Sequence, residues 1–182
     1  MEVPLALQDL DLRMLRTTVG KVGHKGITFH NLNLNGRPLR FLLLPMGQAA
    51  KIPWKPSAFQ GTGQEQRINV VFEISEKQRE MMEEIEDIVR TQFSFKGTWN
   101  SALKSKDGGW LLKAKLNLSS AKKTVISGAD ELPEVWPRFA NASIRIQTVY
   151  HQKNAMGLIL ETEALDFMPA PAHESPFKIA AG

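Results

Sequence analysis

Cysteine is absent from the 182 residues of this sequence. Without thiols the chain can form neither disulfides nor zinc–thiolate sites, and it has no cysteine nucleophile. Such a composition fits a reducing compartment, where disulfides are rare.

Long apolar runs are also absent. The longest strongly apolar stretch, residues 41–46, is far shorter than the roughly 20 residues that a membrane helix needs. Residues 1–7 do not show a basic region followed by an apolar run, so we expect no secretory signal there. The sequence therefore favours a protein without a membrane partner.

Recognisable catalytic and metal-binding motifs are missing as well. The histidines are scattered, and none has a metal-ligand spacing such as His-x-x-x-His; they are His24, His30, His151 and His173. There is no Gly-x-Ser-x-Gly elbow, and the glycine-rich residues 20–26 lack the phosphate-loop pattern. We therefore expect no catalytic residue, no metal and no cofactor. The open alternative is an enzyme in which His30 or His151 joins a carboxylate that is distant in sequence.

The composition that remains is that of a folded domain. Apolar residues make up 42% of the chain and charged residues 23%, which is close to ordinary globular values. A chain of this length suits one domain. We expect a lead-in over residues 1–9, a single domain over residues 10–168 and a flexible tail over residues 169–182.

Charge is unevenly distributed along the chain. The formal net charge is +4, but residues 76–90 hold six acids and three bases, which leaves +7 for the rest. A basic body with one acidic segment is compatible with a polyanionic partner, and ordinary surface chemistry is the alternative.

Several strands are indicated by turn chemistry and alternation. Asn35-Gly36 between the β-prone residues 27–34 and 37–44 favours a type I′ hairpin, because both residues tolerate positive φ. Alternating apolar and polar residues predict further strands over residues 67–74, 110–118, 143–150 and 158–167. The intervening segments are expected to be long loops, over residues 45–66, 93–109 and 119–141.

One amphipathic helix is predicted over residues 76–91. Ser75 is followed three residues later by Gln78, the spacing of a capping box. Apolar side chains then recur on one side at helical spacing, at Met81, Met82, Ile85, Ile88 and Val89. The order is therefore strands, one helix and strands, without βαβ alternation. This order favours a mainly β, antiparallel barrel or sandwich with one inserted helix.

Basic and aromatic residues are interleaved in the loops and on one strand. Binding a nucleic-acid single strand requires cations along the phosphates and aromatic faces for the bases. The candidate residues are Lys51, Trp54, Lys55, Phe59, Phe95, Lys96, Trp99, Lys104, Lys106, Lys113, Lys115, Arg138, Arg145 and Tyr150. Each has an alternative: Trp54 can pack a loop on the core, Phe95 can face inward, and Lys113 and Lys115 can be ordinary solvated residues.

Two stretches of the sequence resemble a known family. Residues 51–59, followed by the strand over 67–74 and the Ser75-capped helix, resemble the middle of OB-fold single-stranded DNA-binding proteins of phages and large DNA viruses. Residues 139–160, with Tyr150 and Gly157, resemble their closing hairpin. The resemblance covers roughly residues 25–168 and rests on pattern, not on a diagnostic motif.

This resemblance implies a fold and a function. The fold would be a five-stranded, antiparallel, OB-like Greek-key barrel with one helix and long loops. The function would be non-enzymatic, largely sequence-independent binding of single-stranded DNA in replication, recombination or repair. The DNA would lie across the strand face, between the loops at Trp54 and Trp99 and over Lys113 and Lys115. We expect the acidic helix to face away from it.

Partners and location follow from the same resemblance. Single-stranded DNA is the expected partner, with RNA as an alternative, and a homo-oligomer or replication and recombination proteins as further candidates. The location would be intracellular, in a bacterial host's cytoplasm or in a nucleus or replication compartment. Many such proteins recruit partners through an acidic tail, whereas residues 169–182 hold one acid, Glu174, and one base, Lys178. The competing hypothesis is a structural or protein-interaction β domain, such as a viral assembly subunit, that does not bind nucleic acid.

Overall fold

The structure is a computed structural model that describes residues 4–18, 20–58, 67–119 and 122–169. These residues form one α-helix, Glu76–Gln92, and three short 3-10 turns, Leu7–Asp9, His24–Gly26 and Pro45–Gly47. They also form thirteen strands: β1 Leu15–Thr17, β2 Lys21–Val22, β3 Thr28–Leu34, β4 Arg37–Leu43, β5 Ala50–Ile52, β6 Ser57–Ala58, β7 Arg67–Ile74, β8 Thr98–Asn100, β9 Leu103–Lys106, β10 Gly109–Asn117, β11 Val125–Ser127, β12 Arg138–His151 and β13 Ala155–Phe167. The mainly β fold with a single helix is therefore confirmed.

All thirteen described strands belong to one sheet, whose central order is β4-β12-β13-β10-β7. The long strands β12 and β13 form its antiparallel spine. On its other edge β13 pairs in succession with β8, β10 and β11, and each of these pairings is parallel. The expectation of five strands is therefore wrong in number, and the expected antiparallel pairing holds for the described strand pairs other than these three. With 13 residues, β13 is long enough to pair with three strands one after another along the same edge.

Five of the additional described strands come from segments that were expected to be loops. Strands β5 and β6 lie within residues 45–66, β8 and β9 within 93–109, and β11 within 119–141. Each has only two to four residues. Alternation cannot be recognised over so short a length, so the sequence pattern misses them.

The longer elements match their predicted positions. Asn35 and Gly36 have φ values of 53° and 78°, as a type I′ turn between β3 and β4 requires. The helix is capped as expected: Gln78 N donates to Ser75 Oγ at 3.2 Å, and Ser75 N donates to Gln78 Oε1 at 2.9 Å. It ends at Gln92, one residue beyond the predicted end.

The core lies between the helix and one face of the sheet. Met82, Ile85 and Val89 of the helix are fully buried in the same cluster as Leu112 and Ala114 of β10. Residues at alternate positions of β10 point to the other side of the strand, where Lys113 is exposed. The acidic helix therefore packs on the core side of β10, and the lysines emerge from the opposite side, which we call the outer face.

Two further observations concern the described residues. Within them, no helix has the length and apolar character that crossing a membrane requires. No group of three or more histidine or acidic side chains in this part of the chain is placed to hold a metal ion. The expected flexible tail, apart from Pro169, lies outside the described residues.

Candidate nucleic-acid interface

A row of polar side chains crosses the outer face. Residues that lie directly opposite one another on paired strands share a face of the sheet. Following these pairs from β4 to β6 gives the row Arg40, Arg145, Glu161, Lys115, Asn69 and Ser57. Five inter-strand spacings make this row about 24 Å long. The row brings together two of the predicted residues, Arg145 and Lys115.

Ion pairs and hydrogen bonds tie this row to neighbouring side chains. Arg67 Nη2 lies 2.6 Å from Glu161 Oε1, and Lys115 Nζ donates to Asn69 Oδ1 at 2.8 Å. Burial lowers the pKa of Lys115, as do the nearby positive charges of Lys113 and Arg67, while Glu161 acts in the opposite direction. Lys115 therefore stands where positive charge is concentrated, and an added anion would relieve that repulsion.

A groove opens in the outer face beside this row. Among the described pairings, residues 158–160 of β13 pair with β12 on one side and with neither β8 nor β10 on the other. The gap leaves a concavity of about 220 Å³. Its lining includes Asn100, Ser101, Lys113, Lys115, Tyr150 and Ile159. Two neighbouring predicted lysines of β10, Lys113 and Lys115, thus meet the predicted Tyr150 of β12 in one groove.

The side chain of Tyr150 is fixed at the end of this groove by two contacts. Its hydroxyl accepts a hydrogen bond from Asn100 Nδ2 at 2.6 Å. The ring lies over Gly157, because a β-carbon there would be 2.9 Å from Tyr150 Cε1. The opposite residue on β3 is Phe29, which is 38% exposed, and its own neighbour on β2 is Lys21. An aromatic and cationic row therefore continues the outer face beyond Tyr150.

Trp54 and Lys106 form a second aromatic and basic pair. The Lys106 Nζ atom lies 4.1 Å from the centroid of the Trp54 ring, which is 40% exposed. Together with Glu73 and Leu111 they line a depression of about 490 Å³. Leu111 and Lys113 are two residues apart on β10 and share its outer face, so this depression adjoins the groove.

The remaining lysines lie at the edge of these depressions or apart from them. Lys104 pairs with Leu111 and is exposed on the same face. Lys51 Nζ lies 3.6 Å from Glu73, and Lys55 Nζ lies 2.8 Å from Glu134 in the neighbouring loop. Lys96 is exposed in the turn before β8.

Three predicted residues take part in packing. Phe95 meets the ring of His151 edge-on at 5.5 Å. Trp99 is half-buried against the core, with the Arg90 guanidinium 5.1 Å from its ring. Arg138 points to the core side of β12, since it pairs with the buried Ile52.

Phe59 belongs to the residues that the structure does not describe. The open alternative was an enzyme with His30 or His151 beside a carboxylate. The ring centroids of His30 and His151 lie 6.1 Å apart, and the other ring contacts of these residues are with Phe93 and Phe95. These described contacts do not include a carboxylate.

Several cationic and aromatic residues of the outer face were missed from the sequence. A depression of about 680 Å³ lies beside the Arg145 end of the row. Its charged lining consists of Arg40, Lys122, Lys123, Arg145, Glu161 and Glu163. Phe139 is 41% exposed on the outer face, next to the inward-pointing Arg138. Adjacent residues of a strand point to opposite faces of the sheet. Alternation along β12 could therefore have placed Phe139 on the outer face.

A buried carboxylate of the helix fixes one wall of the groove. Glu86 is 3% exposed and accepts hydrogen bonds from Ser101 Oγ at 2.7 Å and from Ala102 N at 3.0 Å. Burial raises the pKa of Glu86, while these hydrogen bonds act in the opposite direction. Ala102 O in turn accepts from Lys113 N at 2.9 Å. From the sequence, Glu86 is indistinguishable from the solvated acids of the helix.

Comparison with known proteins gives structural similarity only. No model of a known family matches the sequence, and no curated protein matches it. The chain is similar in structure to the single-stranded DNA-binding protein of bacteriophage Enc34. A C-terminally truncated form of that protein has a TM-score of 0.46 and 10% identity, over 84% of this chain and 95% of the other. Its complex with single-stranded DNA has a TM-score of 0.41 and 10% identity, over 86% and 98%.

Proposed function

We propose that this protein binds single-stranded DNA across the outer face of its sheet. The observation that carries the proposal is the meeting of Lys113, Lys115 and Tyr150 in one groove. Lysines that follow phosphates and an aromatic ring that stacks on a base are the two ingredients of single-strand binding. The groove also has a neighbouring aromatic and basic pair, Trp54 and Lys106.

The layout of the face supports a strand that runs across it. The row from Arg40 to Ser57 is about 24 Å long, and single-strand sites on barrel-type folds cover about 4–16 nucleotides. Lys104 and Lys113 form no ion pair with any residue that the structure describes, so both are available to phosphates. The helix packs on the core side of β10 through its apolar side, with Met82 and Ile85 in the same cluster as Leu112.

We also propose that the strands form an OB-like Greek-key barrel. The central strands β4, β12, β13, β10 and β7 would be its wall, and β5 would close it. In support, β5 pairs with β12 on one side, and Lys51 of β5 reaches Glu73 of β7 on the other.

The proposed role is that of a non-enzymatic, sequence-tolerant binding protein in DNA replication, recombination or repair inside a cell. Sequence tolerance is expected because a ring stacks on any base, and the lysines contact phosphates that every nucleotide has. Self-association and contacts with other replication or recombination proteins would belong to the same role.

A titration of fluorescently labelled oligonucleotides tests this function. We expect a single-stranded DNA of about 30 nucleotides to bind at 50 mM salt and to bind more weakly at 200 mM, because phosphate contacts release counterions. Duplex DNA and RNA of the same sequence are the comparison ligands. Tighter binding to RNA would reassign the ligand, and no binding of any strand at 50 mM salt would favour the structural or protein-interaction hypothesis.

A further inference from the structure

Two carboxylates lie among the cationic side chains of the outer face. Glu161 Oε1 lies 2.6 Å from Arg67 Nη2, and Glu161 Oε2 accepts from Asn117 Nδ2 at 2.8 Å. Glu163 Oε1 lies 2.8 Å from Arg40 Nε, and Glu163 Oε2 lies 3.9 Å from Arg145 Nη1. Three arginines from three different strands are therefore paired with two neighbouring acids of β13.

The backbone of β13 presents both acids to the same side. Residues two apart on a strand share a face and lie about 6.7 Å from each other. Between Ser143 and Ile144 the register of β12 with β13 shifts, so that Glu163 has no directly opposite partner. A bulge of this kind redirects the side chain of the extra residue. Here it allows Glu163 to reach arginines on two strands.

The two acids use arginine donors that phosphates of a bound strand would also seek. Each carboxylate accepts charged hydrogen bonds from an arginine, as a phosphate oxygen does. Their side chains are 19% and 28% exposed, so they lie at the surface where a polyanion would approach. A phosphate can take the same arginine donors only if it displaces the carboxylate or shares them with it.

On the basis of the proposed function, we propose that Glu161 and Glu163 are an internal competitor for the phosphates of single-stranded DNA. In the free protein they neutralise Arg40, Arg67 and Arg145. On binding they must release these arginines, which weakens the complex and speeds its dissociation. The pair thus sets the affinity of the site and keeps bound strands exchangeable.

Replacing each glutamate by the neutral glutamine of the same size tests this competition directly. We expect Glu161→Gln and Glu163→Gln each to bind a 30-nucleotide single-stranded DNA about two- to five-fold more tightly at low salt. The plot of log affinity against log salt concentration should also steepen by about 0.7 for each arginine that gains a phosphate contact. Glu84→Gln on the exposed side of the helix makes the same change in net charge and is the matched control.

A second pair of variants separates local competition from net charge. In an Arg67→Gln background we expect Glu161→Gln to lose most of its effect, while Glu163→Gln keeps its own. Thermal unfolding of every variant verifies the fold. If the parent binds DNA but neither variant exceeds Glu84→Gln, the competition is refuted and the proposed function stands. If neither the parent nor any variant binds, the proposed function itself fails, and the competition with it.

Discussion

The ring of Tyr150 lies over the backbone of Gly157, so closely that a β-carbon at position 157 would be 2.8 Å from the phenolic oxygen. Glycine is therefore required at 157, where a β-carbon would also lie 2.7 Å from the backbone oxygen of Asn100. The hydrogen bond from Asn100 fixes the other end of the same ring. A ring fixed in this way is preorganised for stacking, because little side-chain entropy remains to be lost on binding.

Substitution of Tyr150 should separate stacking from hydrogen bonding. Tyr150→Ala is expected to weaken single-stranded DNA binding by about 1–3 kcal/mol, the typical contribution of one stacked base. Tyr150→Phe keeps the ring and should retain most of the affinity. The measurement is an anisotropy titration of the two variants beside the parent. Equal losses in both would show that the hydroxyl, and not the ring, is what the ligand uses.

Trp54 and Trp99 should respond differently to the same substitution. Trp54 is exposed beside Lys106, so Trp54→Ala is expected to reduce affinity by about 1 kcal/mol or more with little change in thermal stability. Trp99 packs on the core beneath Arg90. Because it is only half-buried, Trp99→Ala is expected to lower the free energy of unfolding by no more than about 3 kcal/mol. Thermal melts and titrations of both variants make the comparison. A stability loss in Trp54→Ala that exceeds the affinity loss would assign Trp54 to packing.

Arg138 and Phe139 are adjacent in sequence but lie on opposite faces of β12. The Arg138 guanidinium lies 5.6 Å from the Phe167 ring, and Nη2 donates to Met168 O at 3.2 Å. We expect Arg138→Gln to reduce stability and leave binding nearly unchanged. Phe139→Ala should have the reverse pattern, measured by the same melts and titrations. A large drop in affinity for Arg138→Gln alone would place its side chain at the ligand.

Lys115 is expected to weaken the fold while it strengthens binding. Burial and neighbouring cations lower its pKa below the ordinary value of 10.5, so its charge costs stability at neutral pH. Lys115→Met should therefore raise the melting temperature at pH 7, and this advantage should shrink as the pH rises toward 10.5. The same variant should bind DNA more weakly than the parent. Lys113→Met, at an exposed position, is the control, and a lower melting temperature for Lys115→Met would contradict the prediction.

The buried carboxyl of Glu86 predicts a pH dependence of opposite sense. Because burial raises its pKa above 4.5, the folded protein takes up a proton before the unfolded chain does as the pH falls. The stability that residue 86 contributes is therefore present at low pH and is lost as the pH rises through the raised pKa. The melting temperature of the parent minus that of Glu86→Gln should be larger at pH 5 than at pH 7. The exposed Glu84→Gln is the charge-matched control, and no difference between the two pH values would contradict the burial of the carboxyl.

The sequence predicts the long elements because their periodicity can be recognised. Strand β7 and the helix have 8 and 17 residues, enough for alternation and for a full apolar stripe. Lys113 and Lys115 could be placed on one face by the same alternation. The two-residue strand β6 shows no such pattern, and its existence depends on pairing with β7.

The rest of the site could not be predicted because it is assembled by strand register. Glu163 meets Arg40 across 123 residues of sequence, and Glu161 meets Arg67 across 94. These contacts depend on which strands are neighbours and on a bulge in β13, and neither leaves a local pattern in the chain. Sequence reasoning therefore finds the lysines of β10 but misses the two acids of β13 that pair with arginines beside them.

The groove beside β13 lies at a gap between paired backbone segments. Its width follows from where β8 stops pairing with β13 and where β10 begins. Substitutions of the lining residues can therefore change its charge and its stacking surface while its opening stays the same. The affinity for a DNA strand and the width of the groove are therefore set by different parts of the protein. We expect related sequences to differ in affinity while the groove keeps its width.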